Sequence, residues 1–149
     1  AFENWSSVSD QQIQLPPDAL LSIDGTYNSS SLSLDVSTNT TMLNSYNGTL
    51  MLGVYLVEDG IISPQKWQKP DGSTVTIEDY EHNHVLRAGF NGTWGDTLST
   101  GLANAGQAFT NNYQLAIDTS AWNPENLSIV AFVYDADSKE VIQAEAAHP

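Results

Sequence analysis

Apolar and polar residues alternate one by one along several short segments of this sequence, and this pattern constrains the fold most. Within residues 30–36, Leu32, Leu34 and Val36 alternate with Ser31, Ser33 and Asp35. Successive side chains of a β-strand point to opposite faces of a sheet, so a two-residue period indicates a strand with one buried face. The pattern therefore predicts β-strands rather than amphipathic helices.

Further segments have the same strand character and are separated by turn-forming residues. They are residues 19–27, 50–58, 80–90, 108–117, 127–134 and 140–146. Residues 50–58 are apolar on both faces, which is typical of a central strand. Residues 61–77 and 91–106 are rich in Pro, Gly and Asn, and we expect them to form loops.

About seven strands without a convincing long amphipathic helix predict an all-β fold. We expect an antiparallel Greek-key β-sandwich of about seven to nine strands, similar to immunoglobulin or fibronectin domains. A chain of 149 residues fits one domain. Residues 15–149 are assigned to this domain, and residues 1–14, which lack a strong pattern, to an N-terminal arm or edge strand.

The chain is strongly acidic, with 18 acidic residues against four basic ones and a net charge of −14. Such a surface repels phosphate backbones and anionic lipids, so we expect no nucleic-acid partner. The apolar run at residues 50–57 is far shorter than the roughly 20 residues that span a bilayer, so we expect no transmembrane segment. Divalent cations, basic partners and neutral sugars remain open as ligands.

Catalytic signatures are scarce in the sequence. The chain has no cysteine, which excludes thiol nucleophiles and thiolate metal sites. No G-x-S-x-G nucleophile elbow is present, and no two carboxylates are marked as an acid–base pair. We therefore expect no enzymatic activity and no obligatory cofactor.

Two groups of residues are candidate metal ligands. His82 and His84 are two apart in a predicted strand, share a face there, and with Asp79 form a candidate transition-metal site. The alternative is that both imidazoles bond to loop backbone. The acidic turns at Asp71 and Asp135 offer oxygen ligands, although neither matches an EF-hand loop, and calcium is the ion left open.

Arg87 lies in a predicted apolar strand, between Leu86 and Ala88. A guanidinium in such a position needs a carboxylate partner. We predict that Glu58 or Asp59 pairs with it across neighbouring strands. A structural role is favoured over anion binding.

All four tryptophans lie in predicted loops or arms, where an aromatic ring can stack on the C–H face of a sugar. Trp67, between Lys66 and Lys69, is the best candidate for an exposed contact. Trp94 is a second candidate for this platform, but we expect it to plug one end of the sandwich core.

The sequence contains an excess of N-x-[ST] glycosylation motifs. They lie at Asn4, Asn28, Asn39, Asn47, Asn91 and Asn126. Residues 96–98 also resemble a short O-glycosylation motif of Bacteroidetes, with Thr97 as the acceptor. The alternative is that Asn, Ser and Thr are simply the turn and surface residues of a β protein.

Three segments carry a resemblance to a known family. They are YLVEDGIISPQ at residues 55–65, YEHNHVLRAGFNGTWGD at residues 80–96 and EVIQA at residues 140–144. Their order and spacing resemble the C-terminal region of the outer membrane protein 28 family of Bacteroidetes, over roughly residues 50–146. Members of that family typically have an N-terminal thioredoxin-like portion with cysteines, and nothing here corresponds to it.

The resemblance implies export, an outer-membrane or cell-surface location and a β-sandwich without established enzymatic activity. The polar and largely uncharged composition agrees with an extracellular location. We therefore expect a non-catalytic surface module for adhesion or self-assembly, whose partners are other copies of itself or other surface proteins.

One form of self-assembly is a filament built by strand donation, with Phe2, Trp5 and Val8 as the anchors of the donated arm. A carbohydrate-binding module is the first alternative function, with glycans as partners. A metal-dependent enzyme at the histidine pair is the least favoured.

Overall fold

The computed structural model describes residues 16–149, which form ten β-strands and no α-helix. The strands are β1 (Ala19–Asn28), β2 (Ser33–Met42), β3 (Tyr46–Glu58), β4 (Ile61–Gln68), β5 (Thr74–His82), β6 (Val85–Gly89), β7 (Asp96–Ala103), β8 (Ala108–Ala116), β9 (Leu127–Asp135) and β10 (Val141–Ala147). Within this described part of the chain, a 3-10 turn at Pro124–Asn126 precedes β9. Among these residues no helix has the length and apolarity that a membrane crossing requires.

Two antiparallel sheets form the body of the molecule. One has the order β1-β2-β8, and the other has the order β10-β9-β3-β6, with β7 also paired to β3. The strands β4 and β5 pair only with each other and form a hairpin. The predicted all-β sandwich is therefore confirmed, and its eight strands in the two sheets fall within the predicted range.

The hydrophobic core lies between the two sheets and follows the alternation of the sequence. Leu34 and Val36 of β2 are buried, whereas Asp35 between them is exposed. The second sheet contributes every other residue of β3 and β9. These are Leu50, Leu52, Val54, Leu56, Leu127, Ile129, Ala131 and Val133.

The central position predicted for residues 50–58 is confirmed, because β3 is paired along both edges. One edge pairs with β9 over Leu50–Glu58. The other edge pairs first with β7, over Tyr46–Leu52, and then with β6, over Tyr55–Glu58. Neither β6 nor β7 pairs with Gly53 or Val54, so this edge of β3 has a gap there, where the segment that connects β6 to β7 lies.

The two predicted loops were partly wrong. Residues 61–77 contain β4 and the start of β5, and residues 91–106 contain β7. Pro64, which argued for a loop, is tolerated because it lies at a β-bulge between Ser63 and Gln65 and needs no ladder hydrogen bond there. The predicted strand at residues 80–90 is two strands separated by a turn at Asn83 and His84.

Candidate functional site

The gap between β6 and β7 is filled by the side chain of Asn91. Its Oδ1 accepts a hydrogen bond from the backbone N–H of Val54 at 3.1 Å, and its Nδ2 donates to the carbonyl of Leu52 at 2.7 Å. The backbone N–H of Phe90 donates to the carbonyl of Val54. Asn91 thus replaces the missing strand, and the loop that follows it is held on β3.

Two glycines let this loop pass close to β3. Gly92 and Gly95 both have positive φ, at 78° and 76°. A Cβ at Gly92 would meet open space, whereas a Cβ at Gly95 would overlap the backbone carbonyl of Leu52. The N-G-T-W-G sequence therefore encodes a loop pressed against the sheet, with Trp94 near its end.

Two tyrosines fix the loop on either side of the Trp94 backbone. Tyr55 of β3 donates its hydroxyl to the carbonyl of Thr93 at 2.9 Å, and Tyr134 of β9 donates to the carbonyl of Trp94 at 2.6 Å. The indole of Trp94 is left 68% exposed. The expectation that Trp94 plugs the core is wrong, because the loop lies on the outer face of the sheet and not at its end. Trp122 instead packs against the core.

Beside Trp94, aromatic side chains line the outer face of the five-stranded sheet. The rings of Tyr55 and Phe132 stack at 5.6 Å between centroids, and those of Phe132 and Tyr134 lie 5.8 Å apart. We call Tyr55, Trp94, Phe132 and Tyr134 the aromatic surface. Because inward residues of β3 and β9 fill the core, their outward neighbours are free to build it.

The aromatic surface is concave. A depression of about 440 Å³ is lined by its four residues together with Thr93, Lys139 and Val141. A second depression of about 600 Å³ adjoins it through Tyr55 and Thr93 and extends along β6. Together they form an open trough that suits an extended ligand better than a small enclosed one.

Lys139 lies beside Trp94. Its Nζ lies 5.6 Å from the centroid of the Trp94 ring, in cation–π geometry, and also donates to the carbonyl of Ala136. This contact holds the ammonium at the rim of the first depression and orients the indole from one side.

The loop is tied to the other sheet through Asp96. One oxygen of Asp96 accepts from the hydroxyl of Tyr113 on β8 at 2.8 Å and from Nδ2 of Asn91 at 3.3 Å. Burial and the hydrogen bond to Asp96 raise the pKa of Tyr113 to about 12. The site is therefore anchored on both sheets of the sandwich.

The predicted ion pair is present between Glu58 and Arg87. The Nε of Arg87 donates to Glu58 Oε2 at 2.6 Å, and Glu58 Oε1 accepts from the backbone N–H of Asn123 at 2.8 Å. Glu58 is only 4% exposed. Both carboxylate oxygens are therefore occupied in joining β3, β6 and the turn before β9.

Asp59, the other carboxylate considered for Arg87, bonds to different groups. Its Oδ1 accepts from the backbone N–H of His84 at 2.5 Å, and its backbone carbonyl accepts from the side chain of Asn126. Asn83 Oδ1 accepts from the N–H of Gly60. The E-D-G and H-N-H motifs thus bind each other where the β4–β5 hairpin leaves the sandwich.

The candidate metal site at His82, His84 and Asp79 was wrong. β5 ends at His82, and His84 has a φ of 55°, so the two histidines are not on one face of a single strand. His82 instead contacts the carbonyl of Ser63 and the ring of Tyr80. Within residues 16–149, no three His, Asp or Glu side chains gather as metal ligands.

The acidic turns use their carboxylates to hold their own backbone. Asp71 Oδ1 accepts from the N–H and hydroxyl of Ser73. Asp135 Oδ1 accepts from the N–H groups of Asp137 and Ser138, and its Oδ2 accepts from the Tyr46 hydroxyl at 2.9 Å. The turn N–H groups hold the pKa of Asp135 below its usual value.

Trp67 lies on β4 rather than in a loop, opposite Val75 of β5. It is 55% exposed, and no residue of the hairpin is buried. Trp67 and Trp94 are therefore both exposed, but only Trp94 lies in a trough on the sandwich.

The glycosylation motifs separate into two groups. Asn28, Asn39, Asn47 and Thr97 are exposed. The amide nitrogens of Asn91 and Asn126 are instead engaged as hydrogen-bond donors inside the structure. Asn4 and the arm residues Phe2, Trp5 and Val8 lie outside the described residues.

Sequence reasoning missed three residues of the aromatic surface, namely Tyr55, Phe132 and Tyr134. The signal was present, because all three occupy outward positions of two central strands. Recognising it required knowing that β3 and β9 are neighbours, which only the register gives.

One solved structure supports the fold. A crystal structure of a domain of the outer membrane lipoprotein Omp28 from Porphyromonas gingivalis is similar to this chain, with 23% identity, a TM-score of 0.60 and 90% of each chain covered. A protein assigned as ApaA from Bordetella pertussis has 10% identity and a TM-score of 0.38, with 88% of this chain and 93% of that chain covered. This similarity is too low to support an inference. No curated protein matches the chain.

A family model, Outer membrane protein Omp28, matches residues 2–149. This match is longer than the resemblance over residues 50–146, and it includes the residues that form the loop and the ion pair. The family consists of outer membrane proteins, in agreement with the predicted location. The chain therefore belongs to the Outer membrane protein Omp28 family.

Proposed function

We propose that this chain is a non-catalytic surface module of the outer membrane that acts in adhesion, and that the aromatic surface makes the adhesive contact. The observation that carries the proposal is the exposed indole of Trp94 beside the packed rings of Tyr55, Phe132 and Tyr134. Contiguous exposed aromatic groups at a concave surface are typical of binding sites.

The rigidity of the site supports a role in binding. The Thr93 and Trp94 carbonyls are held by two tyrosine hydroxyls, and Asn91 fixes the start of the loop. A ring that is already oriented loses little conformational entropy when a ligand stacks on it. Trp67 lies on a two-stranded hairpin in which no residue is buried, so its ring has no packed core beneath it.

The non-catalytic part of the proposal rests on the buried acidic groups. Glu58 gives both oxygens to Arg87 and Asn123, and Asp135 gives both to a turn and to Tyr46. Carboxylates that are occupied in this way are poor candidates for proton transfer.

A neutral carbohydrate chain is the ligand class that the surface favours. Aromatic rings stack on the apolar C–H faces of sugars, and an open trough accommodates several sugar units in a row. The net charge of −14 disfavours anionic polymers. The predicted sugar platform is thereby moved from Trp67 to Trp94.

The test measures binding of purified protein to an array of neutral and anionic glycans and to whole cells. We expect Trp94→Ala to weaken binding at least about tenfold, which corresponds to the loss of one stacked ring. Trp67→Ala is the matched control, because it removes another indole that is more than half exposed, from the hairpin. Loss of binding in the Trp67 variant alone would assign the contact to the hairpin.

Two other results bear on the proposal. Binding to cells but not to glycans would retain adhesion and reject the carbohydrate. Absence of binding to both by the unmodified chain would reject adhesion through this surface.

A further inference from the structure

The outer edge of β8 differs from the other strand edges. β8 pairs with β2 along its whole length, from Ser33 opposite Ala116 to Thr41 opposite Ala108, without a bulge. No other described strand pairs with it. Its sequence, AFTNNYQLA, contains no charge, no proline and no glycine.

The remaining edges carry features that prevent strand addition. β10 and β7 have bulges, and β7 also contains a glycine with positive φ. β6 contains Arg87, β4 contains Pro64 and Lys66, and β5 contains three acidic residues. β1 contains Asp24 and lies beside β10, with its Ala19 carbonyl bonded by Gln143.

The hydrogen-bond pattern shows which groups of β8 face outwards. At the two ends of the strand, Gln107 accepts from Met42, and Ile117 donates to Leu32. Odd-numbered residues therefore bond to β2, because bonding alternates along an antiparallel strand. The N–H and C=O groups of the even-numbered residues, with Asn112 at the centre, point away from β2.

The strand is complementary to itself about Asn112. In an antiparallel pair of two copies centred there, Asn112 lies opposite its own counterpart and Thr110 lies opposite Gln114. These are outward-bonding residues in both copies, so each pair can exchange hydrogen bonds. On the inner face Phe109 lies opposite Leu115, and both side chains are half-buried against the core.

We propose that β8 pairs with β8 of a second copy of this chain across a two-fold axis at Asn112. Two sheets of three strands would then join into one continuous sheet of six. The dimer is independent of the aromatic surface, which lies on the other sheet. It also differs from strand donation by an N-terminal arm, because both partners contribute the same described strand.

Charge gives the dimer a characteristic salt dependence. Each copy has a net charge of −14, and β8 itself is uncharged. Repulsion between the copies is screened by salt, whereas the backbone hydrogen bonds are not. Association should therefore strengthen as the salt concentration rises, opposite to an interface based on ion pairs.

The first experiment measures the mass of the full chain by sedimentation velocity at low and high salt. We expect a dimer that is favoured at high salt. Asn112→Lys, which places two like charges opposite each other, should raise the dissociation constant at least about tenfold. Asn47→Lys is the matched control, because Asn47 is an exposed asparagine on β3 of the other sheet.

The second experiment uses the absence of cysteine. Asn112→Cys introduces the only thiol of the chain, and residues opposite each other in a bonded pair have Cα atoms about 5.5 Å apart, within disulfide range. We expect mild oxidation to give a cross-linked dimer with Asn112→Cys and much less with Asn47→Cys. Circular dichroism of each variant establishes that it is folded.

Three results would overturn the proposal. They are a monomer at about 100 µM in high salt, equal cross-linking of the two cysteine variants, and a monomer whose outward β8 amides are protected from hydrogen exchange. The last result would mean that another part of the same copy covers the edge.

Discussion

The side chain of Asn91 accepts a hydrogen bond from the backbone N–H of Val54 at a point where the central strand has no neighbouring strand. The same side chain donates to the carbonyl of Leu52. Leu52 and Val54 are fully buried, so unpaired backbone groups at this point would be costly. One side chain thus allows the edge of β3 to be shared by β6 and β7, with the Trp94 loop between them.

Replacing Asn91 by Ala should destabilise the fold by about 2–4 kcal/mol, because each buried polar group left unpaired costs about 1–3 kcal/mol. The measurement is the free energy of unfolding in urea. Asn39→Ala removes an asparagine whose hydrogen bonds to the hydroxyls of Thr110 and Thr41 are exposed, and it should cost less than about 0.5 kcal/mol. Equal effects of the two substitutions would show that Asn91 does not replace a strand.

The two glycines of the loop provide a matched pair. Gly92→Ala should cost about 1 kcal/mol, the usual penalty for a side chain at positive φ. Gly95→Ala should cost clearly more, because its Cβ would also overlap the Leu52 carbonyl. Denaturant midpoints of both variants test this order, and a smaller effect at Gly95 would contradict the close approach of the loop to β3.

Replacing Arg87 by Met should destabilise the fold by about 3 kcal/mol, because it leaves the buried carboxylate of Glu58 without its cation. The double variant Glu58→Gln with Arg87→Met should be less destabilised than the sum of the two single variants. A thermodynamic cycle from denaturant titrations measures this coupling. Unchanged stability of Arg87→Met would argue against a structural role for the pair.

Stability should fall as the pH rises from about 10 towards 12. Burial, together with hydrogen bonds to Asp96 and Asp135, raises the pKa values of Tyr113 and Tyr46 to about 12 from the ordinary value of 10.0. The unfolded chain therefore loses these protons first, and the stabilisation present below pH 10 disappears as the pH passes through the folded-state pKa.

Urea midpoints measured between pH 9 and pH 12 test this dependence. The fall of the urea midpoint with rising pH should be shallower in Tyr113→Phe, because this variant has no hydroxyl at that position to titrate. An unchanged slope in this variant would show that Tyr113 does not contribute to the alkaline loss of stability.

The interruption of the predicted strand at residues 80–90 shows where sequence patterns fail. The alternation there is strand-like on both sides of Asn83, but Asp59 and Asn83 bind backbone groups across the turn and fix a break. Likewise, the glycines and asparagine of residues 91–95 read as a plain loop, because nothing local reveals that Asn91 bonds to β3. Such contacts join residues more than 20 positions apart, and local propensity does not encode them.

The sequence alone determined the all-β class, the central role of residues 50–58, the pairing of Arg87 with either Glu58 or Asp59, and the membership indicated by its motifs. These follow from alternation and from the need of a charged group in an apolar strand for a partner, which are local properties. Only the tertiary structure decided that Trp94 is exposed, that His82 and His84 do not share a face, and that Tyr55, Phe132 and Tyr134 meet. Those facts depend on strand register and on which strands are neighbours, since a side chain acquires its surroundings only when distant segments are brought together.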